Sequence, residues 1–579
     1  MKRHWKRESA LGYPAAATGE EDLMKRSAIL LATAIVLTYG CGGEGASSPD
    51  DLNDVQADVV QDAAVDVPAD VPLEIPAEIP TDVPADLGHD DTVATDLPGE
   101  QAPADIAGSD AEDIVPTDTP WVRPAKGEPV SDVTIAEVTD LYIQILKDSR
   151  YFEVVDERLH GWPQSDPEER FWYGTWWSGV RILKESGKVT YKHSNDGADN
   201  NGMRTAPYLS GAAFARLLWN RADHLHVVQS LVRGFSSWVL AMQRTSLPDA
   251  PALMTRAAYF PPVTSTDGGR EIYIDYSPTF PGIDGGASVY VRNADNPIWG
   301  DMYIKNLRSK DDIGHMLLAM AMAKDAVEKS NDPGLTQDWA QLMDLYGAWA
   351  RRVELNGWQI ETVDKDWNVY LPLDDLAILS DFYGVERTIM LALHLVGGGQ
   401  PTPELDCGNG VSEAELVFAI KPDNAQQIRS YHEAAVAWLK ITGHTDTARL
   451  LVQGLAQRVD TILDAREGPE PPAHPGNQDL AELVLSSATV GLPLTWREVR
   501  FMHDRIRDAH ASYLAESAMR DYKVFDVESP DGEYSFTPDH DGLFHRYVGA
   551  VLGLCSSPFL DVSSNPVLDC DKIKAAFNQ

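Results

Sequence analysis

Asp312 and His315 stand three residues apart, so a helix through them sets a carboxylate and an imidazole on one face. That is the composition of a general acid/base pair. Asp312 also follows Ser309 by three residues, where an acid closes a capping box and steadies a helix start. Tyr431-His432-Glu433 offers a second pair of proton carriers. His432 shares a helical face with Ile428, Ala435 and Leu439, which suits a hydrogen-bonded core histidine as well as a buried base. A third set is the stripe Arg500, His503, Arg507 and His510. It runs beside the apolar stripe Val499, Met502, Ile506, Ala509 and Tyr513. Such a basic stripe suits either a cleft for an acidic sugar or a solvated face paired with Asp504 and Asp508.

Aromatic and polar residues that could hold a ligand lie earlier in the chain. Trp172 and Trp176 have helical spacing and could stack sugar rings or fill core. Arg204 ends the polar, Gly-punctuated stretch His193–Arg204. Residues 244–308 are rich in Pro and Gly and include Tyr276 and Trp299, with strand-like alternation at Glu271–Tyr276 and Val289–Arg292. A connection of that length is either a small β-excursion or a loop over a cleft, and it is the first place to look for function. The candidate catalytic residues are thus Asp312, His315, His432, Glu433, His503 and Tyr276. The candidate substrate-binding residues are Trp172, Trp176, Arg204, Trp299, Arg500 and Arg507. No Gly-rich phosphate loop, Gly-x-Ser-x-Gly elbow, His-Glu-x-x-His helix or Cys-x-x-Cys pair occurs, so no cofactor or metal is expected.

Helices must position most of these residues. Periodicity predicts them over 134–147, 171–185, 209–219, 224–242, 309–329, 338–355, 374–396, 425–442, 447–465, 495–518 and 541–554. Thr495-Trp-Arg-Glu498 has capping-box spacing, and Gly443 is a stop between two helices. The fold class is mostly α: helical hairpins with one β-containing insertion at 244–308. Successive hairpins with long insertions resemble the (α/α) toroid used by many glycoside hydrolases and polysaccharide lyases. The resemblance is one of architecture, and fold does not fix function.

The N-terminal part says where the protein works. Lys25 and Arg26 precede an apolar run of about a dozen residues that ends at Gly40-Cys41, too short to span a bilayer. Charged start, short apolar middle, small residue and cysteine together resemble a bacterial lipoprotein signal. The resemblance covers residues 24–41 and implies that Cys41 is lipidated, with membrane lipid as partner. Residues 1–23 would then be an extra segment before the signal, or translation would start at Met24.

Residues 42–128 read as an acidic, Pro-rich tether. Between Gly42 and Pro120 there are 21 acidic residues and no Lys or Arg, roughly half of the net charge of −41. Acids recur at every fourth position from Asp54 to Asp90, and prolines keep the same step from Pro68 to Pro84, which forbids a helix. Fully extended, the segment reaches on the order of 200 Å.

So strong an acidic balance repels phosphate backbones and excludes nucleic acid as a partner. Besides Cys41, only Cys407, Cys555 and Cys570 are present; one disulfide is allowed, with Cys555 and Cys570 nearest in sequence. The helical domain would occupy 129–579. Two functions fit: an extracytoplasmic carbohydrate-active enzyme, hydrolase or lyase, acting on a polysaccharide; or a non-catalytic surface lipoprotein that binds a glycan or a protein.

Overall fold

Helix boundaries fall where backbone donors and acceptors find partners. Thr134 and Glu137 cap each other reciprocally at the start of α1 (Ile135–Asp148): the Thr134 N–H donates to Glu137 Oε2 at 2.8 Å, and the Glu137 N–H donates to Thr134 Oγ1 at 3.3 Å. Later, the predicted box at Thr495 and Glu498 forms with distances of 2.6 and 3.3 Å.

The computed structural model describes residues 134–148, 159–160, 175–176, 180–185, 188–193, 201–259, 263–267, 270–274, 290–306, 308, 310–371, 385–401, 404–405, 411–412, 428–467, 477–517, 531–535, 538–561 and 567–577. All lie in one unit spanning 113–579. The signal with Cys41 and the tether lie outside the described residues, as do Trp172 and Tyr276.

The described chain is mostly helical. After α1 come α2 (Asn201–Trp219), α3 (Ala222–Leu240), α4 (Lys310–Ser330), α5 (Pro333–Leu355) and α6 (Val385–Val396). A π-helical turn, Ile428–His432, leads directly into α7 (Glu433–Ile441). Then follow α8 (Thr445–Glu467), α9 (Asn477–Thr489), α10 (Trp496–Ser517), α11 (Pro538–Ser556) and α12 (Cys570–Ala576).

The stop between α7 and α8 is a Schellman motif. Gly443 has φ +88°, His444 N–H reaches Leu439 O at 2.8 Å, and Gly443 N–H reaches Lys440 O at 3.2 Å. Only a residue without a Cβ takes that backbone angle at little cost.

The interior is centred on α4. Ile313, Met316, Leu317, Met320, Ala321, Met322 and Ala323 are all buried, so the helix is apolar nearly all round and has neighbours on several sides. α2 lies along it, α7 packs on another side, and α5 and α3 touch it as well. α11 packs on α2, and α9 on α11. Cys555 at the end of α11 is bonded to Cys570 at the start of α12, the pair nearest in sequence. Among the described residues no helix is long and apolar enough to cross a membrane.

Two predicted boundaries are corrected. Phe171–Glu185 is not one helix: Thr175–Trp176 pairs antiparallel with Leu159–His160, and Val180–Glu185 is a strand. The second correction concerns 201–204, assigned to a polar loop but forming the first turn of α2.

The strands are β1 (Val180–Glu185), β2 (Lys188–His193), β3 (Ala257–Tyr259), β4 (Val263–Asp267), β5 (Arg270–Ile274), β6 (Tyr290–Asn296), β7 (Gly300–Lys305) and β8 (Gly532–Ser535). One sheet has the order β8-β1-β2-β5-β4, antiparallel except for β2 with β5. A second sheet is β3-β7-β6, wholly antiparallel, and among the described residues three two-residue antiparallel pairs lie outside both sheets. The described part of residues 244–308 is a β-excursion of five strands, β3 to β7, of which β4 and β5 pair into the sheet of β1, β2 and β8.

Side-chain amides fasten this excursion to α3. Asn293 Nδ2 donates to the carbonyls of Ala241 and Gln243 at 2.9 and 2.8 Å, and Asn296 Nδ2 donates to Leu240 O at 2.9 Å. These carbonyls lie at and just past the C-terminal end of α3.

Candidate functional site

Three helices each contribute a stripe with helical spacing to one cleft. From α2 come Ala206, Pro207, Ser210 and Phe214; from α4, His315, Leu318 and Met322; from α9, Glu482, Ser486 and Thr489. Gly549 and Ala550 of α11 complete the wall. The remaining lining residue, Arg429, comes from the π-helical turn. The cleft holds about 490 Å³ of open space, its mouth included. Its enclosed part is small, about 60 Å³, room for a handful of waters.

The charged centre is a contact between helices far apart in sequence. Arg429 Nη1 forms an ion pair with Glu482 Oε2, and the two side chains are only 3% and 4% exposed. Arg429 Nη2 lies 3.3 Å from Nε2 and 3.4 Å from Nδ1 of His315. Near-equal approach to both ring nitrogens places the guanidinium against the imidazole rather than along one lone pair.

The π-helical turn matters here because its wider winding shifts the side chains by one position relative to an α-helix. Such turns frequently accompany functional sites. It packs on α4 closely enough that a Cβ on Gly314 would lie 2.5 Å from Tyr431 Cδ1 and 2.9 Å from the carbonyl carbon of Ser430. The absent side chain at 314 is what lets the turn bring Arg429 to His315.

His432 closes the turn and Glu433 opens α7, both buried and neither lining the cleft. His432 Nε2–H donates to Leu451 O at 2.9 Å, while Nδ1 has no partner among the described residues. Burial pulls its pKa down to about 4, against the smaller opposing pull of the Leu451 hydrogen bond.

Burial pushes the Glu433 carboxyl well above its ordinary value; the Ser487 hydrogen bond and the Arg429 charge pull the other way, and Glu482 raises it further. Ser487 Oγ is 2.5 Å from Leu483 O and 2.6 Å from Glu433 Oε1, so its one proton can be given to either acceptor but not to both at once.

Asp312 has a structural position. Its Oδ2 pairs with Arg308 Nη1 at 2.8 Å, both side chains being wholly buried. Its Oδ1 accepts the Met203 N–H at 3.2 Å, which puts a carboxylate on the first turn of α2. Arg308 also donates through Nη2 to Thr255 O at 2.6 Å and lies 4.8 Å over the Trp238 ring. This network joins α2, α3, α4 and the β-excursion, so Asp312 positions the α2 wall of the cleft.

Of the sequence candidates, then, His315 reaches the cleft. Arg204 is buried in the first turn of α2, and Trp299 is buried in the β-excursion, where its backbone N–H donates to Asn296 Oδ1 at 3.0 Å. His503 lies 3.5 Å from Asp504 on α10. Arg500 and Arg507 stand half-exposed beside the same Asp504, at 3.9 and 3.5 Å, as on a solvated helix face. The backbone of Trp176 is in a short strand and its side chain lies outside the described residues, as Trp172 and Tyr276 do entirely.

The sequence reading missed Arg429 and Glu482. Arg429 stands among polar residues, Gln426, Gln427 and Ser430, so no local contrast marked it. Glu482 gave no signal, because α9 itself was not foreseen. Among the described residues no group of three or more His, Cys, Asp or Glu is placed to hold a metal ion. No family model, curated protein or solved structure matches this chain.

Proposed function

We propose that the chain is an extracytoplasmic lipoprotein, anchored through Cys41, whose helical domain binds a carbohydrate in the cleft between α2, α4, α9 and the π-helical turn. The observation that carries this reading is the Arg429–Glu482 pair beside His315, a set of donors and acceptors held in a concave, partly apolar site. Sugars need both kinds of surface: paired polar groups for hydroxyls and apolar side chains, here Phe214 and Leu318, for the C–H faces. The acidic, Pro-spaced tether would hold the domain away from the membrane, and paired helices set in a toroid-like ring would supply the scaffold.

Binding is preferred to hydrolysis on one count. Glycoside hydrolysis uses two carboxylates across the scissile bond. Among the described lining residues Glu482 is the one carboxylate, and it is paired with Arg429. The enzymatic alternative, hydrolase or lyase, draws on His315 as proton carrier.

The test is to incubate the full-length protein with a panel of polysaccharides. Retention on the polymer, reducing ends released and absorbance of unsaturated products would be followed together. Retention without turnover is expected. Turnover would establish the enzyme, and neither retention nor turnover on any polymer would remove the carbohydrate reading.

A further inference from the structure

Resting on the cleft as the ligand site, we propose that it selects uncharged, hydroxyl-bearing sugars and rejects their acidic counterparts, with Glu482 as the rejecting residue. The charges set in the described lining are one guanidinium and one carboxylate, in contact with each other and almost fully withdrawn from solvent. An incoming carboxylate or phosphate meets a guanidinium that Glu482 already neutralises. Taking one of its N–H groups sets a second anion beside Glu482 in a low-dielectric site, and that repulsion is costly there.

A hydroxyl faces no such barrier. It accepts from a guanidinium N–H and donates to a carboxylate oxygen while the pair stays together. Ser210, Ser486 and Thr489 add hydroxyls around the same space. Discrimination then comes from a repulsive element built into the site as much as from attraction. This reverses the acidic-sugar expectation attached to the Arg500–Arg507 stripe: the guanidinium that reaches the cleft arrives already neutralised.

The experiment is an equilibrium titration of the full-length protein, at constant ionic strength, with methyl glucoside, methyl galactoside and methyl mannoside. Glucuronate, galacturonate and glucose 6-phosphate are titrated in parallel. At least one neutral sugar is expected to bind about tenfold or more tightly than its charged counterpart. The Glu482→Gln variant, checked for folding by its melting curve, should erase or invert that ratio.

A charged sugar binding as well as its neutral partner in the wild type would overturn the selectivity while leaving the cleft reading in place. No binding in either class would overturn both. A ratio unmoved in folded Glu482→Gln would remove the role of Glu482. The wild-type ratio is decisive by itself if the variant fails to fold.

Discussion

Arg429 and Glu482 meet from a π-helical turn and from α9, 53 positions apart in the chain, each with less than a twentieth of its side chain exposed. Removing one partner strands the other charge away from water, which costs about 3–5 kcal/mol. Arg429→Met and Glu482→Leu should each lower the urea-unfolding free energy by that order. The double variant should be less destabilised than the sum of the two, because neither charge is left alone. Additive losses in the double-mutant cycle would mean that the pair is not energetically coupled.

Glu433 and His432 give opposite pH dependences. Folded Glu433 keeps its proton, while an unfolded glutamate ionises near 4.5, so its stabilising contribution is full below that value and declines as pH rises. As pH rises above about 4.5, Glu433→Gln should gain stability relative to the wild type until the folded carboxyl itself ionises. His432 is the mirror case. Its contribution is full above 6.5 and is lost as pH falls toward about 4. His432→Gln should flatten that acid-side loss, on the order of 3 kcal/mol in all. Unfolding curves taken at each pH decide both; a variant-to-wild-type difference independent of pH would contradict the assigned protonation states.

Gly314→Ala tests the approach of α4 to the π-helical turn. A Cβ 2.5 Å from Tyr431 Cδ1 must push the turn away, and overpacking of this kind costs about 1–3 kcal/mol. The melting temperature should fall and ligand affinity should fall with it, since Arg429 rides on the same turn. Full affinity in a destabilised Gly314→Ala protein would separate the turn from the site.

The Cys555–Cys570 disulfide closes a short loop with a sequence separation of 15. Chain-entropy arguments assign a loop of this size about 3 kcal/mol. Cys555→Ser with Cys570→Ser should lose that order of stability. An unchanged melting curve on reduction of the wild type would show that the disulfide adds nothing to stability.

Much of the helical scaffold was legible, and the reasons for the gaps are physical. Thr495 and Glu498 announced α10 because a reciprocal cap needs those residue types at that spacing. The segment Asn477–Thr489 gave no amphipathic stripe, because Ala481, Leu483, Val484, Leu485 and Ala488 are buried on nearly every side; Glu482 went unseen with it. Residues 171–185 read as helix through the Trp172/Trp176 spacing. The better signal was Ser186-Gly187 between Val180–Glu185 and Lys188–His193, a two-residue hairpin connection. His315 was found because a helix face is readable from spacing. Its partners were not, because Arg429 and Glu482 reach it through tertiary packing and a π-helical turn that no local pattern encodes.

The central claim is that the cleft holds a sugar, and Ser486→Trp tests it most directly. Ser486 is a half-buried lining residue of α9, and an indole there fills the space while leaving the ion pair in place. The measurement is a titration of the wild type and of Ser486→Trp with the neutral sugar that binds best, each protein checked for an intact melting transition. Saturable binding by the wild type, weakened about tenfold or more in the variant, is the predicted result. A wild type that binds no neutral sugar, or a folded variant that binds it equally well, would contradict it.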